Sequence, residues 1–262
     1  MRGRFGFKNI FARLMRRYLS IWGDCLDRAQ RDGRITDVPV LPGAVVDTGW
    51  DLGRTDDTAI WFRQFSGRDL HLIHHHASHG KDIAFYVDLL LALRLELGLT
   101  YGTHWLPHDA RPRTLAAGGK SILQQFQDAA KRYPELGRFA IVPRLDVQEG
   151  IQAARSTFPL CRFDQTRCEK GLASLRHYHR EWDDEKKMFI DHPLHDWSSH
   201  DADAFRYLAL SWKYSRPKEA LDMSPAAVTE RLLKNNPVGM TMGALREQHF
   251  KKRRQVREWE NA

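Results

Sequence analysis

Three aspartates in this sequence stand where a carboxylate can do chemistry. Asp51 closes the apolar run "AVVDTGW", Asp109 lies in "HWLPHDA" just past another apolar run, and Asp203 falls in the first turn of "SSHDADAFRYLALSWKYS". Carboxylates brought within a few ångströms of one another repel unless cations sit between them. A cluster of this kind suits hard divalent ions, which take oxygen ligands. Two such ions roughly 4 Å apart can activate a water and stabilise the leaving oxygen in phosphodiester cleavage. Plainer roles remain open for each residue: Asp51 before Leu-Gly suits a turn, Asp109 a loop cap, and acids in a first helical turn complement the helix dipole. Ser198 and Asp201 have the spacing of a capping box, which gives Asp201 a mainly structural role beside the site. His200, Asp203 and Tyr207 fall at i, i+3 and i+7 on one helix face, so Asp203 rather than Asp201 is placed to meet Asp51. Asp56 and Asp57 read as residues of the turn after Gly53, with a metal-adjacent role open to Asp57.

The elements that must position these acids follow from periodicity. "AVVDTGW", "TAIWFRQF" and "LHLIHHHA" are strand-like runs separated by short turn segments, which favours an antiparallel meander. "KDIAFYVDLLLALRLELG" reads as a helix ended by Gly98, and "TYGTHWLP" as a further strand closed by Pro107. Beyond it "SILQQFQDAAKRY" is helical, "RFAIVPRL" a short strand, and "VQEGIQAARSTF" and "CEKGLASLRHYHR" helices. "REWDDEKKMFIDHP" reads as a charged hairpin before the last helix. A meander followed by alternating helix and strand is an α/β arrangement: a mixed sheet flanked by helices. Residues 1–40 read as a basic helical segment with a Pro-broken connector, 41–215 as the domain, and 216–262 as a basic tail.

The chain has 262 residues, 42% of them hydrophobic, enough for a packed core, and no apolar stretch long enough to span a membrane. Three cysteines without a CxxC pair argue against a disulfide framework or a cysteine-rich zinc site and suit a reducing cytoplasm. The net charge of +8 points toward a polyanionic partner, nucleic acid first. Candidate phosphate contacts are Lys120, Arg180, Lys186, Lys187 and the tail cluster Lys251, Lys252, Arg253 and Arg254. The histidines of "HLIHHHASHG" read as a half-exposed strand edge, with His74 and His76 on one face and His75 on the other. "AAGGKS" is not a P-loop, because Thr114 stands where the first glycine belongs and no apolar strand precedes it.

"WDLGRTDDTAIWF", "LPHDA", "GLASLRHYHREWD" and "HDWSSHDADAFRYLA" together resemble the nuclease domain of phage large terminase subunits, over residues 18 to 212. The resemblance implies an RNase H-like fold and a metal-dependent endonuclease that cuts concatemeric double-stranded DNA during genome packaging, in the host bacterial cytoplasm. It implies Asp51, Asp109 and Asp203 as catalytic ligands of two Mg²⁺ or Mn²⁺ ions, with His200 beside them. It places the Gly-Lys-Ser loop at the DNA-facing rim. Portal, small terminase subunit or a separate ATPase would be partners, since no ATPase domain is expected within this chain. Two other readings are a catalytically silent DNA-binding or packaging-assembly module, and a resolvase- or transposase-type nuclease.

Overall fold

The computed structural model describes residues 20–53, 57–113, 119–183 and 185–215. The 216–262 tail, with Lys251, Lys252, Arg253 and Arg254, lies outside them, as does Asp56. In chain order, α1 (Gly23–Arg31) and β1 (Ile35–Thr36) precede β2 (Val45–Asp51), β3 (Asp57–Ser66) and β4 (Asp69–His79). Next come α2 (Ile83–Leu97), β5 (Thr100–Leu106), α3 (Ile122–Arg132), β6 (Arg138–Ile141), α4 (Val147–Thr157) and β7 (Cys161–Asp164). The described residues close with α5 (Glu169–His177), the hairpin β8 (Arg180–Asp183) and β9 (Met188–Pro193), and α6 (Ser199–Ser215).

The seven-stranded sheet has the order β1-β7-β4-β3-β2-β5-β6. Strands β2, β3 and β4 form the antiparallel meander, with Asp51 paired to Ala59 and Asp57 to His79. Strand β5 returns parallel to β2 after α2, and β6 is parallel to β5 after α3. A three-strand meander extended by parallel strands on the side of its first member is the RNase H-like arrangement of a mixed sheet flanked by helices. Helices cover both faces, which explains why β3 is buried continuously from Thr58 to Phe65 rather than alternately. One apolar cluster joins the sheet to α1, α4, α5 and α6 through Trp22, Trp61, Phe163 and Phe205. The other joins it to α2 and α3 through Trp50, Phe62, Leu90 and Phe126.

Three sequence-based expectations need correction. The segment before residue 41 is not a separate extension over its described part: Trp22, Leu26 and Ala29 sit fully buried in the core, and β1 pairs with β7. Neither β1 nor β7 is evident from periodicity, since two and four residues are too short to display it. With β7 in place, β4 is an interior strand over Leu70–Leu72, and past that pairing His75 is buried, His74 and His76 half-buried and His79 exposed. His75 is buried against Trp61, and burial lowers the pKa of both His74 and His76 to about 4. The Gly-Lys-Ser order also has a local cause. Ser121 caps α3 in a reciprocal capping box with Gln124, and Gly119 has a positive φ of 77° just before it.

Helix α6 lies directly on β2, and Gly49 makes that approach possible. A Cβ built there would fall 2.5 Å from Leu208 Cβ and 2.6 Å from the Ala204 carbonyl oxygen. Two residues further along β2 comes Asp51, so the contact that needs a glycine also sets the carboxylate beside the first turns of α6.

Candidate active site

Asp51 is the last residue of β2, and its carboxylate faces α6. His200 donates its Nδ1–H to Asp51 Oδ2 at 2.8 Å. Burial raises the pKa of Asp51; the His200 hydrogen bond opposes that shift, and the charge of Asp203 reinforces it. His200 and Asp203 lie one helical turn apart, so the His200 bond brings Asp51 to the helix face that carries Asp203, although the two acids lie far apart in sequence. Asp203 accepts from Arg206 Nε at 3.1 Å and from the Tyr178 hydroxyl at 3.3 Å. Burial pulls the Arg206 pKa down, but the charge of Asp203, Tyr207, the Asp203 hydrogen bond and Tyr178 together outweigh it and hold the guanidinium above its ordinary range. Burial and the nearby Asp203 likewise raise Tyr178. His200, Asp203 and Tyr207 do share a face: burial, modified by Arg206, Asp203 and Asp51, pushes the Tyr207 phenol up to about 12.

Asp109 sits in the short 3₁₀ turn His108–Ala110 that follows β5. Because β5 runs parallel to β2, with Gly49 opposite Trp105, Asp51 and Asp109 lie at the same end of adjacent strands. Asp109 is exposed. Among the described residues the three aspartates are not gathered into a group whose ligand atoms all lie within 4.8 Å. Asp203 turns to Arg206 and Tyr178, and Asp51 turns to His200, which leaves Asp109 at the open rim.

Asp201 does not form the anticipated capping box. Its Oδ1 meets His75 Nε2 at 2.8 Å, its Oδ2 accepts from Ser174 Oγ, and its carbonyl accepts from Trp61 Nε1. These bonds pin α6 to β4, β3 and α5. Ser198 instead donates its backbone N–H and hydroxyl to Asp196 Oδ1. Asp57 stands at the same sheet end as Asp51 but exposed, 3.4 Å from His79 Nδ1. Of the candidate phosphate contacts, Lys120 pairs with Asp128, Arg180 with Asp191 and Lys186 with Asp183, all with exposed cations. Lys187 occupies the turn of the charged hairpin, with φ 53°. That hairpin begins two residues after Tyr178, so its root adjoins the Asp203 cluster. Sequence reasoning does not single out Arg206 or Tyr178. The signal available is the i, i+3 spacing of Asp203 and Arg206.

No protein-family model matches the sequence, and no curated protein does. Among solved structures, the large terminase of a thermophilic bacteriophage in complex with ATP-gamma-S matches over 73% of this chain and 45% of its own, at 15% identity and a TM-score of 0.51. The chain therefore shares its fold with part of a phage large terminase. It spans less than half the length of the large terminase structures from that phage. The P22 large terminase nuclease domain aligns over 70% of this chain and 90% of its own, at 18% identity and a TM-score of 0.49. The nuclease domain of the bacteriophage SPP1 large terminase, solved with bound Mn, aligns over 65% and 86%, at 14% identity and 0.46.

The donor chemistry of the site fits a hard divalent cation. Asp51, Asp109 and Asp203 offer only carboxylate oxygens, the ligand type Mg²⁺ and Mn²⁺ prefer. A buried carboxylate whose pKa is held up by desolvation and a second carboxylate gains most from an added positive charge. His200 fixes the orientation of the Asp51 carboxylate through its hydrogen bond, as hydrogen-bonded neighbours of ligating carboxylates do at metal sites elsewhere.

Proposed function

We propose that this chain is a divalent-metal-dependent endonuclease acting on double-stranded DNA, of the kind used in phage genome packaging. The observation that carries the reading is the convergence of Asp51 and Asp203 from opposite ends of the domain, with His200 bonded to Asp51 and Asp109 at the same sheet end. Asp51, Asp109 and Asp203 would hold Mg²⁺ or Mn²⁺. Bound there, the ions would supply an activated water and charge stabilisation for a departing 3′ oxygen.

The chain's own groups do the positioning. His200 fixes the direction of the Asp51 carboxylate, while Arg206 and Tyr178 hold Asp203 and limit the negative charge the pocket must carry. Gly49 lets α6 approach, so that both acids sit on backbone that is packed on both sides. Lys186 and Lys187 on the hairpin, with Arg180 at its root and Lys120 beside α3, would take the phosphates of a duplex lying over the rim. Contacts of this sort read the backbone and not the bases, which suits cutting with little sequence preference. The tail cluster Lys251, Lys252, Arg253 and Arg254 would add to that attraction. Portal, small subunit and ATPase partners belong to the same proposal.

Supercoiled plasmid incubated with the purified chain and Mn²⁺ tests the activity. Nicking that stops on adding a chelator, while DNA binding persists, is the expected result. Binding without nicking at any Mg²⁺ or Mn²⁺ concentration would favour a silent DNA-binding module instead.

A further inference from the structure

A second group of ligand-type side chains lies outside the aspartate site. His177 ends α5, His179 stands just before β8, and Asp196 lies in the link between β9 and α6. Each offers one donor atom, and these atoms all lie within 4.8 Å of one another. Their chemistry differs from that of the first site, because two imidazoles and one carboxylate suit a borderline-soft ion such as zinc rather than magnesium.

The surroundings of the three side chains aim them. His179 donates its Nδ1–H to the His177 carbonyl at 2.7 Å, which leaves the lone pair on Nε2. Asp196 Oδ1 is occupied by the Ser198 N–H and hydroxyl, and this turns Oδ2 toward His177 Nε2 at 3.1 Å. The exposed ring of Trp197 stacks on His177 with centroids 4.9 Å apart and restricts that imidazole. Hydrogen-bonded supports of this kind accompany metal-ligating histidines and carboxylates.

We propose that His177, His179 and Asp196 form a zinc site that clamps the root of the β8–β9 hairpin to the start of α6. Three protein ligands leave one position of a tetrahedral ion for water. A zinc ion would sit where the hydrogen between His177 Nε2 and Asp196 Oδ2 now lies, with the imidazole proton carried on Nδ1. Asp196 lies four residues before His200, so the clamp would hold the helix start that carries the Asp51 partner. The site does not depend on the nuclease reading and stands or falls separately.

The test is zinc binding to the metal-stripped 262-residue chain, in millimolar Mg²⁺ so that the carboxylate site is saturated by the competing ion. Dialysis followed by elemental analysis gives stoichiometry, and thermal unfolding gives the linked stabilisation. The proposal expects one zinc per chain in the native protein and in Asp51→Asn. It expects loss of that zinc in the His177→Ala/His179→Ala double variant. Zinc at a hundredfold excess over its dissociation constant should raise Tm by roughly 5 °C in the native chain and leave the double variant unmoved. Should the double variant fail to fold, Asp196→Asn keeps an acceptor for Ser198 and is expected to bind zinc about tenfold more weakly. Absence of stoichiometric zinc in the native chain, or unchanged binding in these variants, would overturn the proposal.

Discussion

His200 and Asp51 illustrate how one hydrogen bond can organise a site. The imidazole bonds a carboxylate whose pKa burial and a neighbouring acid push up. Replacing His200 with alanine should lower Mn²⁺-dependent nicking by roughly 10- to 100-fold, the usual cost of losing an orienting partner. His200→Gln should recover part of it. Initial nicking rates measured across a Mn²⁺ titration decide the matter, and an unchanged rate for His200→Ala would remove His200 from the site. This face of α6 is legible in the sequence, because i, i+3, i+7 spacing follows from helix geometry alone. The role of Arg206 is not. A charged helix residue ordinarily reads as solvated, yet Arg206 is buried against Gly150, where an added Cβ would fall 2.6 Å from the Arg206 side chain. That burial depends on α4 packing across α6, which no local pattern announces.

Among the elements, the β2–α6 contact controls the geometry of the acids. Gly49→Ala forces a methyl group into Leu208 and the Ala204 carbonyl, and it should cost about 1–3 kcal/mol as the helix shifts outward. Chemical denaturation should show this as a lower midpoint with an unchanged slope, accompanied by weaker Mn²⁺-dependent activity. A variant as stable and active as the native chain would deny the contact its positioning role. The meander, α2, β5 and α3 are all legible, since each is long enough to display its period and each is bounded by turn chemistry or a cap such as Asp82 or Gly98. Strands β1 and β7 are not, because their identity comes from pairing with each other and with β4. Their absence from a local reading has a consequence: the β4 stretch Leu70–Leu72 looks like an edge when it is paired on both sides.

For the molecule as a whole, buried neutral histidines tie stability to pH. His104 is fully buried; its Nε2–H donates to the Leu136 carbonyl and its Nδ1 accepts from Thr48 Oγ1, which in turn accepts from Trp50 Nε1. Protonation would put a second donor on Thr48 and break the chain, and burial lowers the His104 pKa to about 4. A group with a depressed folded pKa contributes stability that is present above its unfolded value, near 6.5, and lost as pH falls through the folded value. From this residue alone the loss is on the order of 3 kcal/mol between those limits, and His74 and His76 act in the same direction. Denaturation midpoints should therefore fall steadily from about pH 7 to about pH 4.5, and a flat profile would contradict the buried neutral assignment. The mixed sheet and the order of its acids are readable from sequence, but the convergence of Asp51 with Asp203 is a property of the folded whole. Nicking of supercoiled plasmid in Mn²⁺ by the native chain and by Asp51→Asn, with matched thermal stability and DNA binding, tests that convergence most directly. The native chain should nick and the variant should lose about 100-fold or more of the rate; equal cutting by the two would contradict the assignment of Asp51 as the centre of the site.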